Sequence, residues 1–173
     1  ASKPSVAPPS SGRRAIHFQE WWVKHRAALP AQAFVQIGLD EAKGAPGALA
    51  ALSAADVILV APSNPVVSIG TILGVPGIRE AVAAAAAPVV GVSPIIGGAP
   101  VRGMADACLP AIGVEVSAEG VGRYYAGRAA GGVLDGWLIA DTDTATVPDA
   151  QVRRAPLLMT DDVATAAMVG AAL

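Results

Sequence analysis

The chain has 173 residues, 53% of them hydrophobic and 15% charged, with a formal net charge of −2. Such a length fits one domain of the usual ~100 to 200 residues. The composition points to a compact globular protein, and the lack of any basic run argues against a nucleic-acid surface. The single cysteine, Cys108, excludes an internal disulfide and a multi-cysteine zinc site, so a cytoplasmic location is the default expectation.

Residues 1–12, ASKPSVAPPSSG, hold three prolines and four serines and are expected to be a disordered segment ahead of a domain spanning 13–173. No signal peptide is expected there, because no apolar run follows the charged residues. Ala15 to Arg26 reads as a helix with an aromatic face, ended by Pro30. Phe34 to Ile37 reads as a short strand, and Gly47 to Ala55 as an alanine-rich helix. Val57 to Ala61 is a run of five apolar residues, the pattern of a strand buried on both faces.

Ile69 to Leu73 starts a helical turn, and Ile78 to Ala87 is a second helix stopped by Pro88. Val89 to Val92 is the next buried strand. The apolar stretch from Ala81 to Ala99 contains Pro88, Pro94 and three glycines, which makes it a poor candidate for the ~20-residue helix that spans a bilayer. Met104 to Ile112 reads as a helix, and Ser117 as the cap of another running to about Arg128. Val133 to Ile139 is a strand interrupted by Asp135, residues 141–151 form a polar loop, and Val152 to Leu158 is an edge strand because of Pro156. Thr160 is expected to cap a C-terminal helix, with Asp161 and Asp162 at the positive end of its dipole. Strands and helices alternate throughout. The expected fold is α/β: a three-layer α/β/α Rossmann-like sheet, mostly parallel.

Ligands of such sheets bind just outside the carboxyl ends of the strands. There the sequence places Ser63, Asn64, Ser68 and Gly70, the donors and backbone freedom that a phosphate requires at a helix start. Asn64 and Ser68 serve equally well as caps of the next turn, and composition leaves the two readings level. One strand over, Gly97 and Gly98 permit close backbone approach, and Arg102 offers a fork of donors for a phosphate or carboxylate. Arg102 could instead pair with Asp106 on one helical face.

Other constellations are weaker. There is no P-loop and no GxGxxG, and His17 and His25 lack a third ligand at metal spacing. Asp141, Asp143 and Asp149 lack the glycine and glutamate of a calcium loop. Tyr124, Tyr125 and Trp137 are expected in the core or an interface, and Cys108 as inert packing.

Several motifs in order, IHFQEWWVKHR, PSNPVVSIGTIL, VSPIIGGAPVRGMAD and the MTDD of residues 159–162, resemble the phospholactate transferase family of deazaflavin coenzyme F-420 biosynthesis, actinobacterial branch. The resemblance covers only the family's C-terminal half, so this chain is expected to be a partial domain. It implies transfer of a phosphoenolpyruvyl or phospholactyl group from a guanosine diphosphate-linked donor to the deazaflavin Fo, with GMP released, magnesium required and a homodimer formed. Ser63, Asn64, Ser68, Gly70, Gly97, Gly98 and Arg102 would then hold the donor. The family's proline after SIG is Thr71 here, which frees one N–H and adds a hydroxyl. The family's early acidic residues that bind metal and Fo, and its glycine-rich turn, have no counterpart in this sequence; the catalytic residues and metal ligands are left unassigned. The alternative from another class is a nucleotide- or sugar-nucleotide-binding regulatory protein of related fold without turnover.

Overall fold

A computed structural model describes residues 14–173; the segment 1–12 lies outside the described residues. The described part divides into two compact units, 14–30 and 31–173.

In the first unit the expected helix over 15–26 is shorter and wider. Helical backbone starts at Phe18, and Glu20–Lys24 is a π-turn closed by the His25 N–H donating to the Glu20 carbonyl at 3.1 Å. Three bulky rings nearly in succession crowd an ordinary helical surface, and here they cluster instead. Phe18 and Trp22 lie 5.3 Å apart and Trp21 and Trp22 6.5 Å, centroid to centroid. The Trp21 indole N–H donates to the Leu29 carbonyl at 2.7 Å, and Arg26 and Ala27, both at positive φ, turn the chain out of the helix.

The second unit is built on a four-stranded parallel sheet. Its strands are β1 (Ile58–Val60), β2 (Val89–Val92), β5 (Gly136–Ala140) and β6 (Gln151–Ala155), in the spatial order β1-β2-β5-β6. A two-stranded hairpin, β3 (Ile95–Ile96) with β4 (Ala99–Pro100), springs from the end of β2. Helices α1 (Pro46–Ala54), α2 (Gly70–Gly74), α3 (Ile78–Ala84), α4 (Ala105–Cys108), α5 (Ala118–Tyr125) and α6 (Asp162–Ala172) complete it.

Three layers follow from two adjacent residues of β5, since successive strand side chains point to opposite faces. The Trp137 indole donates to the Ala118 carbonyl of α5 at 2.9 Å, while Leu138 packs with Met168 and Ala172 of α6. The expected mostly parallel α/β sheet flanked by helices is therefore found. Trp137 fits because glycines face it: a Cβ at Gly91 would lie 2.7 Å from its ring, and one at Gly122 2.8 Å from its nitrogen.

Several element expectations need correction. Among the described residues β1 pairs with β2 alone, so it is an edge strand rather than one buried on both faces, and Leu59 is 40% exposed. Phe34 to Ile37 forms no strand; the residues run through irregular backbone and turn, with Val35 82% and Ile37 83% exposed. The first helical turn after β1 starts at Pro65, as a π-turn over Pro65–Ile69 that runs into α2. The span expected over 104–112 is α4 followed by a 3-10 turn, Leu109–Ile112, because Pro110 has no N–H to extend α-helical pairing. α3 and α5 stop three residues earlier than expected, while the Ser117 hydroxyl does cap α5, accepting from the Gly120 N–H at 2.9 Å. β6 lies on the expected edge but spans 151–155, ahead of Pro156. The cap of α6 is Asp161, whose carboxylate accepts from the Ala164 N–H at 2.8 Å, and not Thr160.

Candidate functional site

The carboxyl ends of β1, β2 and β5 open on one edge of the sheet. β1 leads through Ala61-Pro62-Ser63 to Asn64, which sets the next turn. Its side-chain oxygen accepts from the Val66 and Val67 N–H groups at 2.9 and 3.2 Å, and its amide nitrogen donates to the Cys108 sulfur at 3.4 Å. The reading of Asn64 as a cap is thus realised, and the residue also ties the turn to α4. Cys108 is buried, and that burial raises its thiol above the ordinary range, as befits packing rather than reactivity.

Gly70 is set by a close approach. The Pro65 carbonyl bends in to accept the Gly70 N–H across the π-turn, and a Cβ at Gly70 would lie 2.7 Å from that oxygen. Thr71, one residue on, donates its hydroxyl to the Val67 carbonyl at 3.0 Å and accepts from the Gln36 amide at 2.6 Å. The added hydroxyl therefore stiffens the turn. Ser63 is exposed and Ser68 half-buried, and among the described residues neither hydroxyl has a partner. These two are the free donors of the first wall.

The second wall starts at Ser93, buried, whose hydroxyl donates to the Ile95 carbonyl at 2.9 Å and accepts from the Ile95 N–H at 3.2 Å. The hairpin turns at Gly97 and Gly98, both at positive φ (59° and 79°), the geometry of a two-residue loop that disfavours a Cβ at either position. Asp143, just past the end of β5, accepts the Gly97 N–H on both carboxylate oxygens at 3.0 and 3.2 Å. Sequence reading missed this role, having taken Asp143 as part of a polar loop. Its place three residues after the last residue of a buried strand, level with the neighbouring strand's glycine turn, is the signal that was there.

Arg102 stands exposed on the bend before α4, and among the described residues it pairs with no carboxylate, Asp106 included. α4 joins the walls: it packs against both the Pro65–Ile69 turn and β4. The seven predicted residues thus fall on the exits of adjacent strands. Ser63, Ser68 and Arg102 offer unengaged polar groups, whereas Asn64, Gly70 and Gly97 have theirs engaged in shaping the walls. A cavity of about 410 Å³ lies at the opposite edge, bounded by Asp56, Pro88, Val90, Gly136 and Leu173, and holds none of the seven.

Fold and edge together define a Rossmann-like α/β protein with a capped π-turn and a glycine hairpin on neighbouring strand exits. The profile of 2-phospho-L-lactate transferase CofD matches residues 7–167, and the chain belongs to that family. Among its relatives, a phosphoenolpyruvate transferase of Nocardia farcinica is 60% identical over 93% of this chain and 48% of its own length. Proteins of the same name from Mycobacterium marinum and Thermobifida fusca are 58% and 59% identical, over 96% and 97% of this chain and 50% and 51% of theirs. The chain spans about half the length of these curated relatives.

Proposed function

We propose that this chain forms the donor-binding half of a transferase of coenzyme F-420 biosynthesis. The enzyme moves a phosphoenolpyruvyl group from a guanosine diphosphate-linked donor to the ribityl hydroxyl of Fo. The observation that carries this reading is the 54–60% identity, over nearly all of the chain, to relatives named phosphoenolpyruvate transferase. Those names also favour phosphoenolpyruvyl over phospholactyl as the group transferred.

In the transfer, the acceptor hydroxyl oxygen bonds to the phosphorus of the enolpyruvyl phosphate and its proton passes to solvent, the bond from that phosphorus to the bridging oxygen breaks, and GMP leaves with the electron pair. Little covalent chemistry falls to the protein in such a step; holding the reactants in line and offsetting the diphosphate charge supply most of the rate. The Arg102 fork suits the non-bridging oxygens, and the Ser63 and Ser68 hydroxyls suit single oxygens of the same group. Gly98 lets backbone come close, while Asn64, Gly70 and Gly97 keep the two walls in shape.

The resemblance also brings magnesium. Among the described residues no three of His, Cys, Asp and Glu converge, and the proposal places the ion's ligands in the unmatched half of the relatives. A homodimer belongs to the same proposal and is supported by the resemblance, while a cytoplasmic location is supported by the single cysteine.

The test is a chimaera in which this chain replaces the matched half of the Nocardia farcinica protein, mixed with Fo, magnesium and guanylylated donor. Product is expected. Arg102→Ala should raise the donor KM tenfold or more, about the worth of one charge-assisted hydrogen bond, and Ser68→Ala should raise it by less. An inactive chimaera beside an active parent, or an unchanged donor KM in both variants, would overturn the proposal.

A further inference from the structure

We infer that Asp143 is a specificity-determining residue of the donor edge: its carboxylate occupies the anion position on the glycine hairpin and so limits how much negative charge the edge accepts. The inference rests on the donor-binding reading above and goes beyond it, since a carboxylate in this place opposes the diphosphate that Arg102 attracts.

Successive N–H groups of a tight turn make a small anion-binding concavity. Gly97 and Gly98, at φ 59° and 79°, form such a turn at the tip of the β3–β4 hairpin. Nothing lies within 4 Å of where a Cβ of either would stand, so the approach to the turn is open. The Gly97 N–H is already met by an anion, both oxygens of Asp143, at 3.0 and 3.2 Å. Among the described residues no hydrogen bond engages the Gly98 N–H, so a phosphate oxygen drawn to it arrives beside that carboxylate.

The carboxylate is delivered from a loop fastened at both ends. At one end the Asp143 N–H donates to the Ala140 carbonyl at 3.0 Å, closing a turn on the last residue of β5. At the other the Thr146 N–H donates to the Glu119 carboxylate of α5 at 2.9 Å, and Val147 is buried. Nor is the charge cancelled, because among the described residues Asp143 pairs with no lysine or arginine. The hairpin thus touches an uncancelled carboxylate at its tip and leads, two residues past β4, to the uncancelled guanidinium of Arg102.

Like charges repel over about a screening length, ~10 Å at 0.1 M salt. A diphosphate reaching for the Gly98 N–H works against Asp143, whereas one anchored at Arg102 does not. The edge therefore has a polarity: phosphates lie toward Arg102, and Asp143 favours a group that can donate to a carboxylate, such as a hydroxyl. A role confined to holding the hairpin in shape predicts the opposite sign on mutation, since a loosened turn weakens every ligand.

Calorimetric titration of GDP into the chimaera, at one fixed magnesium concentration, separates the two. Asp143→Asn removes the charge and keeps an oxygen that can accept the Gly97 N–H. It should bind GDP at least about fivefold tighter than the wild type in about 0.1 M salt, and the gain should shrink below about twofold in about 1 M salt, where the screening length is ~3 Å. Asp143→Ser, a second neutral replacement, should move the same way, and GMP, with less charge, should gain less than GDP. The inference is overturned if both variants bind GDP no tighter than the wild type, or if the gain is equal at the two salt concentrations. If Arg102→Ala still weakens GDP in that case, the donor edge stands without this role for Asp143. If GDP binds neither the wild type nor any variant, the donor edge falls and this inference falls with it.

Discussion

Tyr125 and Asn64 show how single residues in this fold are fixed by what surrounds them. The Tyr125 ring is buried edge-on to Trp137, 5.9 Å between centroids, and its hydroxyl has no partner among the described residues. Burial, with the Tyr124 phenol as a second cause, raises its pKa above the ordinary tyrosine value. A raised folded-state pKa stabilises the fold fully below the unfolded pKa of about 10, and that stability is lost as pH climbs past it. Urea midpoints of the wild type and Tyr125→Phe should therefore run parallel to about pH 10, where both share the earlier loss from the buried Cys108 thiol. Above that the wild type should fall more steeply; parallel curves to pH 11.5 would refute the assignment. At this scale the sequence was legible in kind. The burial of Tyr125 and Trp137 and the capping by Asn64 follow from residue chemistry. The Asn64–Cys108 contact was not legible, because it joins positions 44 apart whose meeting depends on how α4 packs.

At the scale of elements, the sheet is fastened at its amino end by one arginine that no local pattern distinguishes. Arg128 donates to the Ala85 and Ala87 carbonyls at 2.7 and 2.6 Å and pairs with Asp135 at 3.0 Å, while Asp135 also accepts the Val89 N–H at 2.7 Å. The chain leaving α3, the start of β2 and the start of β5 are thereby held in register. Arg128→Ala strands two carbonyls and a carboxylate and should cost about 2 kcal/mol in urea unfolding. Arg128→Lys should recover less than half, since one ammonium cannot reproduce the fork. A loss under about 0.5 kcal/mol for Arg128→Ala would show that the clamp is idle. Asp135 looked like an interruption of an apolar strand; it is the residue just before β5, turned to its neighbours. Strand and helix positions near Pro, Gly and Ser caps were readable because those residues act locally. The π-turn at Pro65–Ile69 and the irregular backbone at Phe34 to Ile37 were not, since both depend on how the chain packs rather than on residue type.

At the scale of the molecule, the mostly parallel sheet could be inferred from alternating strands and helices; the candidate site is placed by the rule that such sheets bind ligands at their carboxyl ends. The order β1-β2-β5-β6, with the most apolar-looking strand at its edge, could not, because a run of apolar residues reports burial without saying which chain provides it. The central claim is that the exits of β1 and β2 form one diphosphate-binding edge. It is tested most directly by following the backbone amide resonances of the chain, alone and within the chimaera, as GDP is added. The account predicts that shifts concentrate at Ser63 to Gly70 and at Gly97 to Arg102, and weaken together in Arg102→Ala. Shifts confined to the cavity between Asp56 and Leu173, or none in either setting, would contradict it.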